Sequence, residues 1–291
     1  MHDDQLSVPA DLVRGLIGDQ FPQWAGLAVR EQHPGTVNAV FRIGDDLVAR
    51  FPLRPGAADD IPRDLDAARL LAAHTRVPVP RPVAVGAPGR GYPLPWSVLT
   101  WLPGALADDT AAASEALALD LADFIADVRG IPTDGKPFAG TGRGGRIAQH
   151  DDWIETCLDR SQGLLDVPRL RRLWTVMREL PRGADPDVMC HADLMPGNVL
   201  VEGGRLAGVL DVGGLGPADP ALELIGAWHL LDPGPRAVLR ARLGCGEAEW
   251  ARGRAWAFVQ SMGLVWYYEA SNPPMARTGR RTLGRILADP A

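Results

Sequence analysis

His191-Ala192-Asp193-Leu194-Met195-Pro196-Gly197-Asn198 is followed by two short apolar runs and then by Asp211-Val212-Gly213. The stretch between, Val199 to Leu210, reads as a β-hairpin with Gly203-Gly204 at its tip, a pair suited to the positive φ of a tight turn. Such a hairpin returns Asp211 to the side of Asn198. An amide and a carboxylate brought together offer oxygen ligands, and a hard cation such as magnesium takes these along with water and phosphate oxygens. Asp193 lies five residues before Asn198. A carboxylate placed beside a hydroxyl orients it and accepts its proton as charge builds on the oxygen. Helix capping would explain Asp193 alone, but not its association with Asn198 and Asp211.

Working outward, the N-terminal third reads as β-rich. A short helix at 11–18 is followed by strand patterns at 26–31, 37–43 and 46–51, separated by turn chemistry. From Asp59 to His74 the apolar residues Leu65, Ala68, Leu71 and Ala72 recur at helical spacing. Pro78, Pro80 and Pro82 stop that helix, and strand patterns resume at 83–86 and 96–102. This predicts a small antiparallel sheet with one helix packed on it. Beyond Pro103-Gly104 the patterns are helical, at 114–129, 150–164, 168–180, 218–231, 235–243, 247–270 and 274–288. The fold class expected is α+β, with a β-rich lobe over residues 1–102 and a largely helical lobe over 103–291. Ligands favour the cleft between two such lobes.

Composition narrows the partners. Thirty basic against 36 acidic residues give a net charge of −6, with no basic stripe. An acidic surface repels phosphate backbones, so no nucleic-acid partner is expected and a cationic small molecule suits better. Three widely spaced cysteines, Cys157, Cys190 and Cys245, point to free thiols in a reducing compartment. There is no signal-peptide pattern and no apolar run of about 18 residues that would cross a bilayer. A cytoplasmic protein without a membrane partner is expected, as a monomer or homodimer. Only one of the thirty basic residues, Lys136, is a lysine.

Two motifs invite over-reading. His191 and Asp193 are spaced like metal ligands, yet no further His or Cys cluster accompanies them, so His191 reads as a brace for the loop. Gly140 to Gly145 formally matches a dinucleotide fingerprint, but no hydrophobic strand precedes it, and it reads as a flexible loop.

The sequence resembles the aminoglycoside phosphotransferase family, small-molecule kinases distantly akin to protein kinases. The resemblance rests on His191-Ala192-Asp193, Asn198, Leu210 to Gly213 and Ala218-Asp219-Pro220-Ala221. It extends to Thr36 to Asn38, Phe41 to Gly44, Arg50 to Pro52, Pro78 to Pro82, Trp96 to Trp101 and Trp266 to Asn272, which together span most of the chain in order. It implies a protein-kinase-like, two-lobed fold and transfer of the γ-phosphoryl of ATP or GTP, with Mg2+, to a hydroxyl. By position, Asp193 is the catalytic acid, and Asn198 and Asp211 are the magnesium ligands. Gly35, Thr36 and Asn38 cover the nucleotide phosphates. Backbone groups at Leu99, Thr100 and Trp101 meet the purine. The family's strand lysine becomes Arg50, and its helix acid becomes Asp64, with Asp66 less favoured.

Four positions depart from the family pattern. Arg50 keeps the charge but presents a planar fork instead of a compact ammonium. Asp64 is one methylene shorter than a glutamate. Ala192 stands where the family has glycine, and Val212 where it has an aromatic residue. The acid, the amide and the second acid are retained. For the acceptor pocket, candidate carboxylates are Asp151, Asp152, Glu155, Glu223 and Glu269, with Trp153, Trp228, Trp266 and Tyr267 as walls. The expected acceptor is a small hydroxylated, cationic molecule, such as an aminoglycoside, macrolide or related antibiotic. Alternatives are a metabolic small-molecule kinase, a non-catalytic nucleotide-binding pseudokinase or, least favoured, a metal hydrolase built on His191, Asp193 and Asp211.

Overall fold

The computed structural model describes residues 6–32, 37–183 and 185–289. The chain divides into two compact units, Met1–Ala73 with Pro78–Pro103 and His74–Val77 with Gly104–Ala291.

The first unit is a five-stranded antiparallel sheet of β1 (Val29–Glu31), β2 (Asn38–Ile43), β3 (Leu47–Pro52), β4 (Pro82–Gly86) and β5 (Trp96–Thr100), in the order β1-β2-β3-β5-β4. Period-two alternation sends Phe41, Ile43, Ala49, Phe51, Trp96 and Val98 to one face, where all are fully buried. Helix α1 (Ala10–Gln20) covers that face with Val13, Leu16 and Ile17. The rings of Phe51 and Trp96 stack there with centroids 4.6 Å apart. On the opposite face, Val48 and Leu99 meet Ile61 and Leu65. These two belong to α3 (Ile61–His74), which follows the short α2 (Pro55–Asp59). The expectation of one helix on the sheet is therefore corrected: two helices cover it. The strongly apolar Trp96 to Leu99 run is the consequence, since β5 is buried on both faces.

The second unit is mostly helical. It contains α4 (Glu115–Arg129), α5 (Asp151–Arg160), α6 (Val167–Met177), α7 (Ile225–Leu230), α8 (Pro233–Leu243), α9 (Glu247–Tyr268) and α10 (Pro273–Ala288). Helix α9 has buried residues on nearly every side from Arg252 to Val265, so it is the central helix, packed by α5, α6, α7 and α10. Five short strands complete the unit: β6 (Ala105–Leu106), β7 (Val188–Cys190), β8 (Val199–Glu202), β9 (Arg205–Val209) and β10 (Gly216–Ala218). The β8–β9 pair is the expected hairpin, and Gly203 and Gly204 at its tip have φ of +56° and +75°.

Helix α4 anchors this hairpin. Ser114 caps α4 by accepting from the Leu117 N–H and donates its hydroxyl to the Gly204 carbonyl at 2.6 Å. Asp120 takes a bidentate contact from Arg205, both bonds at 2.6 Å, which holds its carboxyl below the usual carboxylate range. Asp123 pairs with Arg242 and Asp127 with Arg76, so these acids of α4 form a row of clamps. Among the described residues, no helix is long and apolar enough to cross a membrane.

Candidate active site

The loop after β7 is fixed from beneath. The antiparallel β7–β10 pair delivers His191 into the interior, where it is fully buried. Its Nδ1 accepts from the Asp193 N–H at 3.3 Å, and its Nε2 donates to the Leu210 carbonyl at 3.0 Å. Both ring nitrogens are therefore engaged in hydrogen bonds, as the bracing role requires. Glu223, wholly buried, accepts the backbone N–H groups of His191 and Ala192 on one oxygen. Burial pushes the Glu223 carboxyl above its usual range, while these donors and the nearby His191 pull it back.

Ala192 adopts φ +70°, the left-handed conformation that glycine takes without penalty. A Cβ there costs about 1–2 kcal/mol, and replacement by glycine returns about 0.4–1 kcal/mol as extra freedom of the unfolded chain. Ala192→Gly is expected to raise stability by up to about 1 kcal/mol, seen as a higher urea midpoint at unchanged slope. A lower midpoint would show that the alanine is not strained.

Asp193 is held from three directions. Its Oδ2 accepts from Asn198 Nδ2 at 2.7 Å, and its Oδ1 accepts from Gln260 Nε2 at 2.5 Å and Arg143 Nη2 at 3.3 Å. Asn198 Nδ2 also reaches the Asp193 carbonyl at 3.0 Å. The amide nitrogen is thus committed to Asp193, which leaves the oxygen of Asn198 as the atom for a hard cation. The Asn198 carbonyl accepts the Leu210 N–H at 2.8 Å, closing the hairpin base one residue before Asp211. Asp211 itself sits at φ 55° and ψ 62°, a left-handed position that Asp tolerates better than most residues. An amide oxygen and a carboxylate joined by that hairpin fit magnesium, which keeps water and phosphate oxygens for its other positions. Among the described residues, no group of three or more His, Cys, Asp or Glu side chains is placed to hold a metal by itself.

Arg143 and Gln260 are absent from the sequence-derived site. Arg143 lies in the loop that carries the Gly140 to Gly145 match; the loop is irregular, as expected, yet its arginine pairs with Asp193. Gln260 lies 67 residues from Asp193 in an apolar stretch of α9, where only its being polar within a buried helix hints at a role.

In the first unit, Gly35 and Thr36 lie outside the described residues. Asn38 opens β2 opposite Pro52, and Arg50 lies on β3 between Val40 and Ser97. Asp64 occupies the first turn of α3, with Arg63 at 3.7 Å. Leu99 is buried in β5. The Thr100 N–H donates to Arg81 O at 2.9 Å and the Trp101 N–H to Asp46 O at 2.7 Å. Those two N–H groups are taken up within the unit, so the backbone groups that Thr100 and Trp101 could offer a purine are their carbonyls.

Two of the acceptor-pocket candidates are corrected as well. Glu223 is a structural brace, as described. Trp228 is fully buried, packed on Trp250 with centroids 4.7 Å apart and with its Nε1 directed at Asp289. Asp152 is exposed on the first turn of α5. Glu155 and Glu269 are exposed too, but each is paired with an arginine, Arg171 and Arg280 respectively. Among the exposed large apolar side chains of the described residues, two are aromatic, Trp153 at 42% and Tyr267 at 44% exposure.

The chain belongs to the phosphotransferase enzyme family, whose model matches residues 29–256. It is a phosphotransferase with an alcohol group as acceptor. No curated protein matches the sequence significantly. Solved structures match over nearly the whole chain. The GDP complex of wild-type aminoglycoside 2'-phosphotransferase-IIIa aligns with TM-score 0.74 at 19% identity, covering 97% of this chain and 99% of that one. Macrolide 2'-phosphotransferase MphH from Brachybacterium faecium, as apoenzyme, aligns with TM-score 0.63 at 20% identity, covering 94% and 97%. The streptomycin–ATP ternary complex of APH(2")-IIa aligns with TM-score 0.63 at 16% identity, covering 98% and 97%. These likenesses show a protein-kinase-like fold.

Proposed function

We propose that the protein transfers the γ-phosphoryl group of ATP or GTP to a hydroxyl of a small molecule, with Asp193 addressing that hydroxyl. The observation that carries this reading is the Asp193 carboxylate, held by Asn198 and Gln260 beside the hairpin base that bears Asp211. A carboxylate fixed in this way orients the acceptor O–H and takes its proton as the oxygen attacks phosphorus. Arg143, 3.3 Å from Asp193, sets positive charge next to the place where phosphoryl charge develops. Magnesium, held by Asn198 and Asp211, supplies further charge for the nucleotide phosphates. Arg50 takes the role of the family's phosphate-contacting lysine, supported by Asp64. Asn38 is assigned to the nucleotide phosphates, and backbone groups of the Leu99 to Leu102 stretch to a purine.

The acceptor is proposed to be an antibiotic, and inactivation of that antibiotic the role. Complexes of structural neighbours contain aminoglycosides such as streptomycin, and another neighbour acts on macrolides. Of these classes, a less cationic acceptor is favoured. Glu155 and Glu269 already pair with arginines, so fewer of the candidate carboxylates are open to a polycationic acceptor. A non-catalytic nucleotide binder is the second reading, and the arginine in the strand-lysine position supports it. Purified protein with magnesium and ATP or GTP, challenged with aminoglycosides, macrolides and hydroxylated metabolites, separates the two. Acceptor-dependent release of nucleoside diphosphate establishes transfer, whereas tight nucleotide binding without it across the panel favours the binder. Asp211→Ala is expected to weaken magnesium-dependent nucleotide binding by tenfold or more, on the order of what loss of a metal-site contact costs. A magnesium titration with labelled nucleotide checks this, and an unchanged titration would remove Asp211 from the metal site.

A further inference from the structure

The amide of Gln260 bridges two groups that cannot both be satisfied in an arbitrary orientation. Its Nε2 lies 2.5 Å from Asp193 Oδ1, and its Oε1 lies 3.1 Å from His229 Nε2. His229 comes from α7, is fully buried, and presents its other nitrogen, Nδ1, to Thr282 Oγ1 of α10 at 2.9 Å. Three helices, α7, α9 and α10, thus converge on one carboxylate oxygen.

Hydrogen-bond polarity runs one way along this chain. An ionised carboxylate only accepts, so the amide nitrogen has to face Asp193 and the amide oxygen has to face His229. That oxygen needs a donor, which places the imidazole proton on Nε2. Burial lowers the His229 pKa to about 4, so the neutral ring carries that one proton and its Nδ1 must accept. The Thr282 hydroxyl has two acceptors within reach, Nδ1 and the Thr278 carbonyl, each at 2.9 Å. The Nε2–H tautomer draws the hydroxyl proton to Nδ1. Donation then runs from Thr282 to His229, to Gln260 and to Asp193.

We propose that Gln260, locked by His229 and Thr282, is a positioning residue that fixes the plane of the Asp193 carboxylate for phosphoryl transfer. The inference rests on the role given above to Asp193. The terminal torsion of an aspartate is broad and roughly two-fold. Asn198 alone restrains Oδ2 and leaves Oδ1 able to swing out of plane; Gln260 supplies the second restraint, from a helix packed in the interior of its unit. Arg143 contacts the same oxygen from an irregular loop and at a longer distance. Misplacement of a reacting group by about 1 Å costs roughly 100-fold in rate. Gln260 is therefore a determinant of turnover, not of substrate affinity.

Gln260→Met keeps the length of the side chain and removes the amide. Turnover of magnesium–ATP and magnesium–GTP is measured with kanamycin, with erythromycin and with water as acceptor, alongside Asp193→Ala, with thermal unfolding to confirm that each variant folds. Gln260→Met is expected to lower kcat about 10- to 100-fold while KM for nucleotide and acceptor stays within about threefold. The double variant with His229→Leu is expected to lose no more than Gln260→Met alone, because both act through one bond. A Gln260→Met enzyme with wild-type kcat, or one altered only in KM, overturns the proposal. If Asp193→Ala itself keeps full turnover, the role of Asp193 falls and not merely that of Gln260. A readout that needs no acceptor is nitrogen NMR of histidine-labelled protein. His229 should be a single Nε2–H tautomer in the wild type and lose that uniformity in Gln260→Met. An Nδ1–H tautomer in the wild type would turn the Gln260 oxygen toward Asp193 and sink the inference.

Discussion

Asp193→Ala is expected to reduce kcat by about 10²- to 10⁴-fold, the range that removal of a positioned general base produces, with nucleotide affinity nearly unchanged. The separation follows from geometry. Asp193 donates nothing to the proposed metal site, because the amide nitrogen of Asn198 faces Asp193 and its oxygen is the cation's atom. Loss of the carboxylate therefore removes the group proposed to address the acceptor hydroxyl, while the proposed magnesium ligands and Arg143 remain. Turnover under saturating nucleotide and acceptor, with nucleotide affinity measured separately by titration, gives the two numbers. Unchanged turnover would take Asp193 out of the chemistry. A parallel collapse of nucleotide affinity would show that Asp193 acts through the metal site instead.

Asp219→Ala is expected to cost about 3–5 kcal/mol of folding stability, the loss typical when one partner of a buried ion pair is removed. Asp219 is fully buried and Arg252 nearly so. The guanidinium grips the carboxylate with Nε to Oδ2 at 3.0 Å and Nη2 to Oδ1 at 3.1 Å. Trp256 Nε1 and the Ala221 N–H donate to the carboxylate at 3.2 Å and 3.0 Å, and Arg182 Nη1 lies 3.6 Å from Oδ1. The alanine variant would leave the Arg252 charge buried without its carboxylate. Since a domain has only about 5–15 kcal/mol to lose, the variant should unfold at a much lower urea concentration. Adding Arg252→Met should restore much of the loss, because an apolar side chain leaves no charge to solvate. A single variant as stable as the wild type would show that the pair is solvated. Activity should fall too, since β10 immediately precedes Asp219 and pairs with the strand that leads into His191.

Legibility in the sequence follows the range over which each constraint acts. Asn198 and Asp211 are joined by a hairpin whose register is written in twelve consecutive residues, and the Gly203-Gly204 tip fixes its turn. The strained φ of Ala192 was foreseeable from the glycine that the family pattern places there. By contrast, Glu223 and Trp228 read as pocket residues because an acid and an aromatic on a helix carry no local mark of which side faces inward. Packing against α9 and the loop at His191 decided that they are buried. The acids of α4 carried the same ambiguity, resolved by arginines that arrive from β9, from α8 and from the residues after α3.

Local chemistry thus determined the five strands of the first unit, most of the long helices and the spacing of Asp193, Asn198 and Asp211, because hydrophobic periodicity and turn residues act over a few positions. The kinase-like class was legible through the resemblance of those motifs to a family. The short strands β6, β7 and β10 and helix α2 carried no such local signal. The tertiary structure decided which groups hold Asp193 in place. Arg143 and Gln260 are 50 and 67 residues away along the chain, and no short-range pattern encodes a contact between side chains that meet only when an irregular loop and a central helix pack around the same carboxylate.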